Sequence, residues 1–209
     1  MSSNIEKSDT RKTILEKAAP LLAAKGYSGV SMRNLSNVVG VSSAAIYHHF
    51  VDKETLYLEV MRHAFSDKAV AMTAILDMQG TPLERLEHFI NSFVILIDAD
   101  PDFRALVQRE MLDGDETRLK LVAEEVFAAP FQAITSVLEE LDTDCDAHFL
   151  AVSIIGIIMF HFEAAPILKF LPSAQPMHNK PQNIIKHVMS FLTKAFSADQ
   201  EQIIKVYNP

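Results

Sequence analysis

The chain has 209 residues, 49% of them hydrophobic, with six glycines, one cysteine and a net charge of −8. That length and apolar content suit a compact helical protein of one or two domains and exclude a disordered chain. A single cysteine excludes an intramolecular disulfide framework, and Cys145 reads as a small half-buried residue in a reducing cytoplasm. The polar start, Met1–Lys12, lacks the apolar core of a secretory signal. The longest apolar run, Phe149–Phe160, falls short of the about 20 residues that span a bilayer. A soluble, cytoplasmic protein without membrane attachment is therefore expected.

Apolar spacing is helical nearly throughout and no segment alternates like a strand, so the expected fold is all-α. The first helix is predicted to start near Ser8 or Asp9 and to end at Gly26, with Ile14, Leu15, Ala18, Leu21 and Leu22 on its apolar face and a bend at Pro20. Two short helices follow, Met32–Val39 and Ser43–Phe50, separated by the Gly40-Val41 turn. A long helix opens at Asp52 and is predicted to run to about Met78. Thr81-Pro82 starts the next, to about Ala99, as an N-cap followed by proline at the first helical position. Asp100-Pro101 marks the following boundary, with a short helix over Phe103–Leu112. The acidic turn Asp113–Glu116 leads into a helix that Pro130 is expected to kink or split, and the broken part is a candidate movable pocket wall. An almost wholly apolar helix is predicted over Asp146–Phe170, then a Pro-rich loop, then a last helix over Gln182–Phe196.

The charge is unevenly spread. Residues 1–56 carry seven cations against five carboxylates, a net +2, so the remainder holds −10. Nucleic-acid attraction depends on local basic surface rather than on total charge, so the overall −8 does not count against DNA binding.

Residues 31–57 read as helix, glycine turn, helix and capped third helix, a geometry that braces one helix on a phosphate backbone and lays the next in the major groove. Ser42 stands where an N-cap belongs. Ser43, Ala44 and Ala45 fall on the first turn of the second helix, where small side chains permit close approach to base edges and an alanine methyl can meet a thymine methyl. Ile46 and Phe50 should anchor the opposite face with Leu35, Val38 and Val39. Tyr47 and His48 lie outward, where phenol and imidazole can hydrogen-bond phosphates. Lys53 occupies the first turn of the third helix, where a cation opposes the helix dipole unless a phosphate sits against it. Arg33, Arg11 and Lys12 follow the same logic at their expected helix starts. A metal at His48-His49 is not expected, because adjacent residues on a helix face different directions.

These elements carry a resemblance. Ala18-Ala19…Lys25-Gly26-Tyr27, Ser31-Met32-Arg33, Val39-Gly40-Val41-Ser42 and Ile46-Tyr47-His48-His49-Phe50…Lys53-Glu54-Thr55-Leu56 make Thr10–Leu58 similar to the N-terminal domain of TetR/AcrR-family transcriptional regulators. The resemblance implies an N-terminal helix-turn-helix domain, here residues 1–56, and a helical ligand-binding and dimerisation domain, residues 57–209. Carried over by position, it implies DNA contacts from Ser31, Arg33, Ser42, Ala44, Tyr47, His48 and Lys53. Many members place Lys or Pro-Gly just after the serine that opens the second helix. Ser43-Ala44 stand there in this chain, so an operator preference does not transfer.

In the remainder, no phosphate loop, H-E-x-x-H, C-x-x-C or G-x-S-x-G pattern appears, so neither an enzyme nor a cofactor is expected. The helices over 146–170 and 182–196 carry more apolar surface than one side of a helix should, which points to burial against a second subunit, with Gly156 allowing close approach. The resemblance likewise implies a homodimer through these two helices. Two heads about 34 Å apart would meet successive major grooves of a palindrome. Phe65, Phe93, Phe103, Phe127 and Phe131 suit an apolar ligand pocket, with Arg109, Glu110 and His161 as orienting polar groups. The expected function is a homodimeric repressor released from double-stranded operator DNA by an apolar or amphipathic small molecule. A ligand-independent activator or co-regulator, and a helical carrier with a vestigial head, are the alternatives.

Overall fold

The computed structural model describes residues 2–141 and 145–197, and every regular element among them is helical. Helix α1 spans Ser2–Lys25, so it begins ahead of Ser8 and Asp9; residues 2–9 contain no proline or glycine to stop it. It ends where Gly26 takes the left-handed conformation, φ +71°. Pro20 lies inside α1 without ending it. Its exposed ring costs one backbone bond, and the buried residues Ile14, Leu15, Ala18 and Leu22 on both sides hold the helix together. Pro20 also lines a cleft of about 350 Å³ with Lys12, Glu16, His63, Lys68 and Asp102.

Helices α2 (Met32–Val39), α3 (Ser43–His49) and α4 (Lys53–Thr73) follow, and α4 tightens into a 3-10 turn at Ala74–Leu76. Next come α5 (Pro82–Ala99), α6 (Pro101–Asp113) and α7 (Glu116–Val122). A π-helical turn over Ala123–Phe127 joins α7 to α8 (Ala128–Glu139). Pro130 therefore does not split the helix. Its ring would press on the carbonyl four residues back, Val126, and the wide turn lies where that conflict arises. Residues 116–139 have the length and apolarity of a membrane span. The burial of Val122, Val126, Ile134, Val137 and Leu138 within the protein accounts for that apolarity.

Helix α9 covers Ala147–Glu163, shorter than the expected 146–170, because Pro166 starts a separate turn, α10 (Ala165–Leu168). A 3-10 turn at Pro176–Asn179 precedes α11 (Pro181–Ser197). The residues after 197 lie outside the described part. Cys145 is exposed, not half-buried.

By compactness the chain forms two units, residues up to 74 with 99–132, and 75–98 with 133 onward. In the first, α1 packs against α2, α4 and α6, and α4 contributes the buried residues Leu56, Tyr57, Val60, Met61 and Phe65. Two cations close helix ends. Arg109 donates from Nε and Nη2 to the carbonyls of Ala23 and Ala24, both at 2.6 Å, and Lys17 donates to the Val39 carbonyl at 3.1 Å. Glu110, 1% exposed, accepts from Arg118 Nε at 3.0 Å. In the second unit, Thr81 and Glu84 cap α5 reciprocally. Leu86, Phe89, Ile90, Val94 and Ile97 form its buried stripe. Helix α9 buries Ala151, Ile154 and Ile158, α11 buries Ile184, Val188 and Leu192, and the two helices contact each other.

The Tyr57 phenol is 1% exposed. Burial, and then hydrogen bonding to Glu110, push its pKa well above the ordinary 10.0. The folded protein thus keeps a proton that the unfolded chain releases. The stability this contributes is fully present below pH 10 and is lost as pH rises from 10 through the raised folded value. Denaturant unfolding at about pH 9 to 11 should show the wild type losing stability faster than Tyr57→Phe, by up to about 1.4 kcal/mol per pH unit. Identical slopes would contradict the buried phenol.

Candidate nucleic-acid interface

The turn between α2 and α3 is held by its own residues. Ser31 caps α2: its Oγ accepts from the Asn34 amide at 3.1 Å, while its own amide donates to Asn34 Oδ1 at 3.0 Å. Gly40, φ +84°, closes α2, and the amides of Gly40 and Val41 both donate to the Ser36 carbonyl, at 2.9 and 3.1 Å. Ser42 caps α3, its Oγ accepting from the Ala45 amide at 3.1 Å. The buried Ser36 accepts from the Ser43 hydroxyl at 3.1 Å and donates to the Arg33 carbonyl. This side-chain bond ties the start of α3 to α2, and Ser36 had no distinguishing signal in the sequence beyond being a serine on an otherwise apolar face. Asp52 caps α4, accepting from the Thr55 amide at 2.7 Å, and those amide bonds hold its carboxyl below the usual aspartate range.

On this frame Ser31, Arg33, Ser42, Ala44, Tyr47 and His48 are exposed together, while Ile46 and Phe50 are buried beneath them with Leu35 and Val39. Ser43 and Lys53 are half-buried. Val38, expected in that small core, is 50% exposed, since α2 turns only its Leu35, Ser36 and Val39 side inward. Arg11 does not stand at a helix start, because α1 begins at Ser2. It pairs with Glu59 at 3.3 Å and lies 5.0 Å from the centre of the Phe50 ring. Lys12, likewise inside α1, pairs with Glu16 at 3.7 Å. Lys53 Nζ lies over the Tyr27 ring, 4.0 Å from its centre. Partial burial, and then the Arg118 charge, hold Lys53 below the ordinary lysine value.

A uniform surface of short polar side chains, a half-exposed phenol and flanking cations around the first turn of α3 can approach a groove closely and hydrogen-bond its phosphates. Residues 14–60 match the family described as bacterial regulatory proteins, tetR family. The match takes in the whole of α2 and α3 with parts of α1 and α4. A relative, the HTH-type transcriptional repressor AcnR of Corynebacterium diphtheriae, is 37% identical over 109 residues, 49% of this chain and 57% of its own length. The chain thus spans little more than half of that relative. Two solved structures share the fold. AibR in complex with isovaleryl coenzyme A and operator DNA superposes with a TM-score of 0.67 at 20% identity, covering 87% of this chain and 97% of that one. FadR from Bacillus subtilis in complex with stearoyl-CoA gives 0.69 at 16% identity, covering 85% and 97%.

The residues expected to meet an effector are divided between the two units. In the first, Phe65, Phe103 and Phe127 form a trio with ring centres 5.1, 5.3 and 6.4 Å apart, and Phe131 is half-buried. Arg109 and Glu110 are engaged within the protein, the first by the α1 carbonyls and the second by Arg118. In the second unit Phe93 is 7% exposed on α5, and His161 of α9 faces His187 of α11 with ring centres 5.9 Å apart. Burial, and then the His187 charge, lower the His161 pKa.

The left-handed Gly40 carries the turn. Nothing lies within 4 Å of a β-carbon added there, so Gly40→Ala should cost backbone strain alone, about 1 kcal/mol of unfolding free energy. Gly114, also left-handed at φ +64° and with only the Leu112 carbonyl oxygen within 4 Å of an added β-carbon, provides the parallel: Gly114→Ala should cost about the same. Chemical denaturation of both variants checks the pair, and a neutral Gly40→Ala would contradict the strained turn.

Proposed function

We propose that this chain is a ligand-responsive DNA-binding repressor of transcription, acting in the cytoplasm as a homodimer. The observation that carries the reading is the exposed row Ser31, Arg33, Ser42, Ala44, Tyr47 and His48 on a turn capped by its own residues. Residues 1–56 are the proposed reading head and residues 57–209 the responding part. Ser42, Ser43 and Ala44 would bring the first turn of α3 against base edges, with Tyr47, His48, Ser31, Arg33 and Lys53 on phosphates. The repressor among the relatives and the operator DNA bound by AibR support this reading.

The effector is proposed to be apolar or amphipathic, in keeping with the coenzyme A thioesters bound by AibR and FadR. Phe65, Phe103, Phe127 and Phe131 are the candidate apolar wall in the first unit, and Phe93 and His161 the candidates in the second. An ion pair between Arg62 of α4 and Glu125 of the π turn links the helix that follows the head to this wall. Any release from DNA is bounded by the effector's differential affinity for the two states.

The dimer is proposed to form through α9 and α11. Opposite the buried residues of α9, Phe149, Val152, Gly156 and Phe160 recur at helical spacing and are exposed, as is Phe191 of α11. So contiguous an apolar stripe needs a cover, and a glycine within it lets a second backbone approach.

Fluorescence anisotropy with a duplex selected from a random library by the wild-type protein tests the head. Tyr47→Ala should weaken binding about fivefold, and Lys53→Ala should also flatten the plot of log affinity against log salt by about one. Wild-type affinity in both variants would reject the assigned contacts. For the dimer, Gly156→Arg should sediment as a monomer at concentrations where the wild type is a dimer. A dimeric variant would reject this interface.

A further inference from the structure

Behind Lys53 lies a cluster that neither the helix-turn-helix nor a ligand pocket requires. The Tyr27 ring, in the α1–α2 turn, has two cations over it: Lys53 Nζ at 4.0 Å and Arg118 Cζ at 4.1 Å from its centre. Its edge meets Tyr57 at 5.3 Å between ring centres. Arg118 belongs to α7, far along the chain, and is only 8% exposed. Three carboxylates from the end of α6 and the turn after it fix it: Glu110 at 3.0 Å from Nε, Asp115 at 3.3 Å from Nη1 and Asp113 at 3.9 Å from Nη2. The same turn abuts the α1–α2 turn elsewhere, since a β-carbon on Gly26 would lie 3.7 Å from Asp113 Oδ2 and 3.7 Å from Arg109 Cδ.

We propose that Tyr27 and Arg118 are positioning residues for DNA binding: Arg118, anchored in the α6–α7 turn, holds the Tyr27 ring, and the ring holds the Lys53 ammonium at the start of α4. The inference rests on the DNA reading of Lys53 above and adds what sets its position. An ammonium at a helix N-terminus is repelled by the helix dipole, so Lys53 needs a fixed partner to remain there when no phosphate is present. A ring face supplies one without neutralising the charge, which a carboxylate would do. Arg118 also bars Lys53 from sinking inward, because two like charges over one ring repel. The arrangement makes the phosphate contact depend on where α7 stands. Movement of the α6–α7 turn would release the ring, and with it Lys53, without any change in α2 or α3.

The salt dependence of binding to the selected duplex tests this in the full chain. Tyr27→Leu removes the ring face and should bind about three- to tenfold more weakly, with the log–log salt slope flatter by about one. Tyr27→Phe, which keeps the ring, should restore both. In a Lys53→Ala background, Tyr27→Leu should add nothing, because the phosphate contact is already gone. If Lys53→Ala flattens the slope and Tyr27→Leu does not, or if the two losses add in full, the positioning role is overturned while DNA binding through Lys53 stands. If Lys53→Ala leaves the slope unchanged, the contact itself falls, and this inference with it. Arg118→Met should repeat the Tyr27→Leu result; the Tyr27 series decides independently, since it leaves the buried pair with Glu110 in place.

Discussion

A carboxylate with almost no access to water needs a partner beside it, and Glu110 sets that requirement in the first unit. Arg118 meets it, and in doing so must lie inward, across the turn that ends α6. Its guanidinium then comes over Tyr27, and Arg109, one residue before Glu110, reaches the last carbonyls of α1. One buried charge therefore orders three things at once: the α6–α7 turn, the C-terminal end of α1 and the aromatic ring beneath Lys53. Buried ion pairs add little net stability, because desolvation offsets most of the attraction. They do penalise arrangements that leave one partner unmatched, and here the matched arrangement joins elements more than 80 residues apart.

The proposed reading head solves a different problem. Helices of eight and seven residues are too short to persist alone, and each is sustained by a serine cap, a shared carbonyl at Ser36 and one buried face. These bonds span at most seven residues. The head can thus keep its shape while the parts around it move, as the proposed reading of a rigid duplex would require. Its exposed side is left chemically simple because the polar groups that build the turn point into it.

That locality explains what was legible in the sequence. The caps at Ser42, Asp52 and Thr81, and the glycine that closes α2, are decided by neighbours three or four residues away, so residue type and spacing suffice to find them. The all-helical fold followed from periodicity alone. The start of α1 was misplaced because good capping residues also occur inside helices. For the same reason the sequence points Arg11 at a phosphate, whereas it meets Glu59 and Phe50. Pro166 shortened α9 where uninterrupted hydrophobicity suggested continuation. Nothing in the spacing could reveal Arg118, which looks like any surface arginine on a charged helix until the fold brings Glu110 and Tyr27 to it. The candidate pocket residues are of this second kind, shared between two compact units by a chain path that no local pattern records.

From α7 through the π turn to the start of α8 the buried positions run Arg118, Val122, Val126 and Pro130, one at every fourth residue. A helix with 3.6 residues per turn cannot keep such a series in line: each step overshoots by about 40°, and three steps carry the last residue about a third of the way around the axis. The wide turn at Ala123–Phe127 works as a leap day does in a calendar. It inserts the fraction that the regular count omits, so that charge, valines and proline return to the same side. On that view the turn exists for alignment, and shortening the segment by one residue would set the far end of the helix facing the wrong way.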